Sequence, residues 1–223
     1  MFIGHDGIGF AGKSIAPRAS LGTWLMAVNF LDLVWPILLL TGVEHVKIEP
    51  GITKLNPLNF TDYPITHSLF AVLGWSVGFA LVFAVVRKDF RTACALGLGV
   101  LSHWILDWIV HRPDLPVMPG NDQKFGLGLW NNPALALTIE SLIYVGGFWL
   151  YFRSTRSKDN VGKWSLWSLC ILLPILFVSS LPKPPPSEQV IAWMGLTGWL
   201  IPIWGYWIER HREPNFVQVA DSQ

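Results

Sequence analysis

The chain alternates long apolar runs with short polar breaks. Six runs are long enough for a helix to cross a hydrocarbon core, which takes about 20 residues. They fall near 21–42, 65–86, 90–110, 133–152, 164–181 and 188–208. Pro36 in the first and Pro174 in the fifth predict kinks of the kind membrane helices tolerate. Residues 2–16 are apolar and glycine-rich but too short to span, and they end at Pro17-Arg18. A turn there folds them back against the first full helix as a re-entrant half-helix; the alternative is an amphipathic helix on the inner surface. In the re-entrant case His5 and Asp32 lie about thirteen and fourteen residues on either side of the turn, which brings them to similar depth. The predicted fold is all-α, a polytopic membrane helical bundle of about six spans forming one domain over 1–223. Residues 1–152 are its core, and 153–223 add two spans and a short polar tail.

Composition supports lipid as the solvent. Of the 223 residues 52% are hydrophobic and only 14% charged, where a soluble domain carries about a quarter charged. A net charge of +1 without a basic run gives no footprint for nucleic acid, so membrane lipid is the expected partner. Cys94 and Cys170 lie inside apolar runs and read as small buried residues. The first residues lack the basic region and cleavage site of a secretory signal, which leaves targeting to the first membrane helix. Lys13, Arg18, Arg87, Lys88, Arg91, Arg153, Arg156, Lys158, Lys163, Arg210 and Arg212 fall on one set of flanks. Lys47, Lys54, Arg112, Lys124 and Lys183 fall on the other. The positive-inside rule then places both termini in the cytoplasm and the loops 43–64 and 111–132 outside, with a stiff outer turn at 182–187.

Within this apolar background the ionisable residues stand out. His103, Asp107 and His111 sit at i, i+4 and i+8 on one helical stripe at the end of the third run. Each such group costs on the order of 2.5–3.5 kcal/mol at membrane depth on insertion scales. A divalent metal accounts for a histidine and a carboxylate one turn apart, as do a hydrogen-bonded helix contact and a proton path. His67 opens the second run and Glu140 lies about two turns into the fourth, on the side where the third ends. Asp32 is deeper. Blander roles exist for each: His67 as a helix cap, Glu140 paired with Arg112 or Lys124, Asp32 hydrogen-bonded to Asn29. Asp114 and His45 read as exposed loop residues, and His211 as part of a basic flank. If the set converges, three imidazoles with two or three carboxylates and no cysteine suit Zn²⁺, with Mn²⁺ or Fe²⁺ as alternatives, at a site of one or two ions. Asp32 or Glu140 is then the candidate general base.

The order Gly4-His5, Asp32, Thr66-His67-Ser68 and Leu101-Ser-His-x-x-x-Asp107 resembles the YdjM-like family of bacterial inner-membrane proteins, described as membrane-bound metal-dependent hydrolases. That family is similar to a zinc-dependent phospholipase C and single-strand nuclease superfamily. The resemblance covers roughly residues 1–152. It implies a principal metal site of His67, His103 and Asp107, a second involving His5 and Asp32, and a further contribution from His111 and Glu140. It also implies a bacterial inner-membrane location. The aspartate stands in Leu31-Asp32-Leu33-Val34 instead of the family's Pro-Asp-x-Asp, and Ala136 stands where the soluble relatives carry a histidine one turn before the last glutamate. One or two ions therefore fit better than three.

The expectation is an integral membrane hydrolase acting on an ester or phosphoester, plausibly lipid-linked, with its site toward the outer side. Arg112, Lys124 and Trp130 are placed to orient an anionic head group. The alternatives are a proton- or metal-ion-linked transporter, which requires polar residues continuing toward the inner face, and a non-catalytic membrane scaffold.

Overall fold

The computed structural model describes residues 1–120, 123–181 and 184–215. Pro182 and Lys183 in the expected outer turn, and the polar tail from residue 216, lie outside the described residues. The chain is helical almost throughout. Among the described residues six of the nine α-helices begin at a side chain that accepts from an otherwise unpaired backbone amide. α1 (Ile3–Ile15) leads through a turn to α2 (Leu21–Val28), capped by Ser20, and α3 (Phe30–Leu40). α4 (Leu69–Arg87) is capped by Ser68 and α5 (Phe90–Val110) by Asp89. α6 (Pro133–Ser154) starts at Asn132 with proline in its first turn, and α7 (Asn160–Ser180) starts at Asp159. α8 (Glu188–Leu196) and α9 (Leu200–Arg210) complete the bundle.

Among the described residues α4, α5, α6 and α7 are long and apolar enough to cross a membrane, and α2 with α3 makes a fifth if counted as one span bent by 56°. The sixth span expected at 188–208 is not a single helix. It divides into α8 and α9 around a 3₁₀ turn at Thr197–Trp199, where Gly195 packs directly on Pro36 of α3. The bend in the first span falls at Asn29 and not at Pro36. There the Val28 carbonyl accepts from His103 while the Asn29 amide reaches the Leu25 carbonyl and Asp6. Pro174 is accommodated within a continuous α7.

α1 occupies the middle of the bundle, against α6, α2 and α5. Nine of its thirteen residues are buried, which excludes a helix lying on the surface. Its glycines allow this. A Cβ on Gly7 would run into the backbone of Ile143 and Tyr144, and one on Gly147 into the backbone of Gly7, so α1 and α6 cross in backbone contact. Lys13, at the far end of α1, is buried and satisfied by the carbonyls of Pro17 and Ala19 and by Glu209.

Three small antiparallel pairs close the ends. β1 (His45–Ile48) pairs with β2 (Leu58–Asp62), and β3 (Leu115–Pro116) with β4 (Lys124–Phe125). β5 (Thr155–Ser157) pairs with β6 (Arg212–Pro214), where the buried Arg212 guanidinium binds Thr155, Ser157 and the Gly162 carbonyl.

Candidate metal centre

Five of the ionisable residues meet at one point. Asp107 and His103 come from the last turns of α5, Asp32 from the first turn of α3, His67 from the loop entering α4, and His5 from the first turn of α1. His103 Nε2 lies 3.2 Å from Asp107 Oδ2 and 3.6 Å from Asp32 Oδ1. His67 Nε2 lies 3.5 Å from Asp32 Oδ1 and 3.7 Å from Asp107 Oδ2. For metal–ligand distances of about 2.0–2.2 Å, the edges of a tetrahedron are about 3.3–3.6 Å. Asp32, His67 and His103 are therefore spaced as ligands of one ion, while Asp107, on the other side of His103, belongs to a separate group. The other Asp107 oxygen turns to His5, 3.1 Å from its Nε2, and to the amino group of Met1. The His5 ring stacks on that of His103 with centroids 3.7 Å apart. His5, His103 and Asp107 thus form a second group able to hold an ion beside Asp32, His67 and His103.

Hydrogen bonds fix which imidazole nitrogen faces the cluster. His103 Nδ1 is 2.8 Å from the Val28 carbonyl, which can only accept, so Nδ1 carries a proton and Nε2 is the nitrogen left to face the cluster. The His67 case runs through two side chains. Thr66 Oγ1 donates to Glu44 Oε2 at 2.6 Å, so its oxygen accepts from His67 Nδ1 at 2.7 Å. Glu44 Oε1 also accepts from the amides of Ile65 and Thr66 at 2.7 and 2.8 Å, holding the Thr66-His67-Ser68 loop in place. Outer partners of this kind set the tautomer and orientation of metal-binding histidines. His103 Nε2 is buried and makes no hydrogen bond despite the two nearby carboxylates. In the neutral imidazole this nitrogen turns a lone pair toward carboxylate oxygens, an arrangement that a cation between them would make favourable, so the donor set fits a divalent metal. Because His103 offers a single free nitrogen, it can serve only one ion. Asp32 and His67 would complete its ligand set on one side, Asp107 and His5 on the other.

The remaining candidates lie elsewhere. Glu140 is fully buried, but its Oε2 accepts from the backbone amides of Phe2 and Gly4, 2.8 and 3.4 Å away, serving as the carboxylate at the start of α1. It pairs with neither Arg112 nor Lys124, and its Oε1 is buried without a hydrogen bond. His111 is turned into a separate cluster, with Nδ1 2.9 Å from Asp114 Oδ1 and its ring against Trp130. Asp114 is not an exposed loop residue. It is buried and also binds the Tyr63 hydroxyl at 3.0 Å and the Arg112 guanidinium. Burial first, and the Asp114 carboxylate second, hold the Tyr63 hydroxyl well above its usual pKa and so protonated. His45 stays largely exposed near Asp62, and His211 binds Asp159. Trp130 is buried and Arg112 is engaged by Asn59 and Asp114, so of the three residues considered for a head group only Lys124 is fully exposed.

Sequence reasoning passed over Glu44 and Asp6. Glu44 sits in a loop expected to face water, with no periodicity to mark it as buried. Asp6 is 5% exposed and accepts from Asn29 at 2.9 Å; its position beside His5 was the only available signal. Met1 is buried at the cluster, at the opposite end of α1 from Lys13 and the basic flank.

Fold and site together define a polytopic helical membrane protein with a buried histidine–aspartate cluster able to hold a metal ion. Residues 53–183 match the model of the YdjM inner membrane protein family, and the chain belongs to that family. The match contains His67, His103, Asp107 and Glu140 and extends through α7, further than the motifs suggested. It begins after His5, Asp32 and Glu44, which join the cluster from outside it. No match is found among curated proteins or among solved structures.

Proposed function

We propose that the protein is a metal-dependent hydrolase of the inner membrane, acting on an ester or phosphoester and plausibly on a lipid-linked one. The observation that carries this reading is the convergence of ligand atoms from His5, Asp32, His67 and Asp107 around the orphaned Nε2 of His103. His103 with His67 and Asp32, or with Asp107 and His5, would hold the ion, Zn²⁺ being suited to such a mixed nitrogen–oxygen set and Mn²⁺ or Fe²⁺ being alternatives. A second ion would lie between His5 and Asp107. A divalent cation at this point supplies Lewis acidity toward a phosphoryl or carbonyl oxygen and lowers the pKa of water. Val28 and the Glu44–Thr66 pair keep both imidazoles in the ligating tautomer. Asp32 has a side chain 44% exposed, against 4% or less for its partners, so the cluster opens on its side and a substrate meets it there. Glu140 Oε1, buried and unbonded, is the group available to take a proton. The charge asymmetry of the flanks supports a position of the cluster toward the outer side.

A transporter would need the polar track to continue along α1. Between Asp6 and Lys13, about 10 Å along the helix, stand Gly7, Ile8, Gly9 and Phe10. Phe10 is fully buried against Tyr144, Phe148 and Tyr151. That apolar plug counts against a through-path.

The test begins with metal analysis of detergent-purified protein grown with added zinc and manganese and never exposed to chelator. It continues with hydrolysis of phospholipid and of a chromogenic phosphodiester in proteoliposomes. One or two ions per chain and turnover lost in Asp107→Asn are expected. Protein free of bound transition metal would overturn the reading.

A further inference from the structure

On the outside of the bundle, away from the metal cluster, a trough of about 1110 Å³ runs between α4 on one side and α2 and α9 on the other. Its walls are Met26, Phe30, Trp75, Phe79, Val82 and Phe83, and its floor widens at Gly78, which has nothing within 4 Å of a Cβ position. At one end Phe30 closes it against Trp75 and Phe79, with ring centroids 5.3 and 5.5 Å apart. At the other end stand Arg18, Arg87 and Arg210, all exposed. From Trp75 to Arg87 the helix rises about 18 Å, close to the roughly 15 Å depth of one leaflet's hydrocarbon.

Among the described residues the charge at the arginine end is only partly cancelled, by Asp89 beside Arg18. Glu209, the carboxylate in the lining, is bound by Lys13 and the Leu21 amide. Arg18 reaches Asp89 only at 3.4 Å, and Asp89 already caps α5 through Thr92. No side-chain partner within the described chain holds the Arg87 or Arg210 guanidinium. A trough one leaflet deep, apolar along its length and cationic where it meets the head-group layer, has the shape and charge of one kind of occupant. We propose that it is a binding site for one anionic phospholipid, its acyl chain along α4 and its phosphate held by Arg18, Arg87 and Arg210. The inference stands independently of any chemistry at the metal cluster.

Native mass spectrometry of the full chain released from nanodiscs tests it, with phosphatidylglycerol against phosphatidylcholine as the probes. One retained phosphatidylglycerol per chain is expected, and phosphatidylcholine should be lost. Each guanidinium contributes about a fivefold preference near an anionic surface, so the Arg18→Ala/Arg87→Ala/Arg210→Ala variant should weaken retention on the order of 100-fold. Gly78→Trp, which fills the trough and leaves the charge intact, should also release the lipid. Lys88→Ala/Arg91→Ala removes as exposed a pair of charges from the same rim outside the trough and should leave retention unchanged. Three results would overturn the proposal: equal retention of both lipids, equal loss in the Lys88/Arg91 variant, or a dimer abolished by Gly78→Trp in place of a bound lipid.

Discussion

α1 and α4 are built on opposite rules. α4 is the most apolar span, yet among its nineteen residues only Val72 and Ser76 are buried. α1 is short and glycine-rich, carries His5, Asp6 and Lys13, and is buried over most of its surface. In water the more apolar helix would be the inner one. In lipid the apolar face gains nothing by turning inward, and close packing falls to small residues and to polar groups that need partners. The centre around α1 is therefore marked by glycine and ionisable side chains, and the exposed face of α4 by leucine, valine and phenylalanine.

The contrast is broken most severely by removing a side chain at the centre. His103→Ala should abolish metal binding at the cluster, read as ions per chain, because Nε2 belongs to both groups able to hold an ion. Leu81→Ala, exposed on α4, should leave the stoichiometry unchanged. Equal stoichiometry in both variants would mean that the cluster is not a metal centre. One step outward, Glu44→Gln should lower metal affinity about 10–100-fold by loosening the tautomer and aim of His67. Isothermal titration with zinc measures it, and an unchanged affinity would reduce Glu44 to a loop tether.

The helical membrane class was legible because it rests on run length and composition, which α4 to α7 carry openly. His103 and Asp107 were legible from their spacing, His67 from the end of the span it shares with them and from the family resemblance, and His5 and Asp32 from equal distances on either side of the turn at Pro17. The break of the last expected span was not. It depends on α8 meeting Pro36, a contact between residues more than 150 apart in the chain. Asp114 and Glu44 misled for a related reason. A loop carboxylate in sequence looks the same whether water or a neighbouring hydroxyl satisfies it, and here Tyr63 and Thr66 do. His111 keeps the helical stripe of His103 and Asp107, but α5 ends at Val110, so its side chain follows the loop toward Asp114.

A milder test compares two glycines. In Gly147→Ala the new methyl meets the Gly7 backbone, which cannot yield without moving α1, and overpacking of this kind costs about 1–3 kcal/mol. Gly74→Ala on α4 meets nothing within 4 Å and should be neutral or stabilising by up to about 1 kcal/mol. Thermal unfolding in one detergent separates them. Equal shifts would show that α1 and α6 do not cross in contact.

The smallest effect sharpens the comparison along one helix. α5 carries the cluster at one end and begins at the other with Asp89, outside the apolar span. There the Thr92 hydroxyl, and then the Thr92 amide, hold the Asp89 carboxyl below its ordinary value. A carboxyl depressed in the folded state contributes stability that is present at neutral pH. That contribution is lost as pH falls below about 4, the ordinary aspartate range, and through the lower folded value. Asp89→Asn keeps a capping oxygen but removes the titration. The gap in melting temperature between wild type and variant should therefore shrink between pH 6 and pH 3. Metal stoichiometry at pH 7 should be the same in both, since the cap and the cluster lie about ten residues of helix or more apart. A gap that is constant across that range would show that Asp89 contributes to stability by packing and not through its charge.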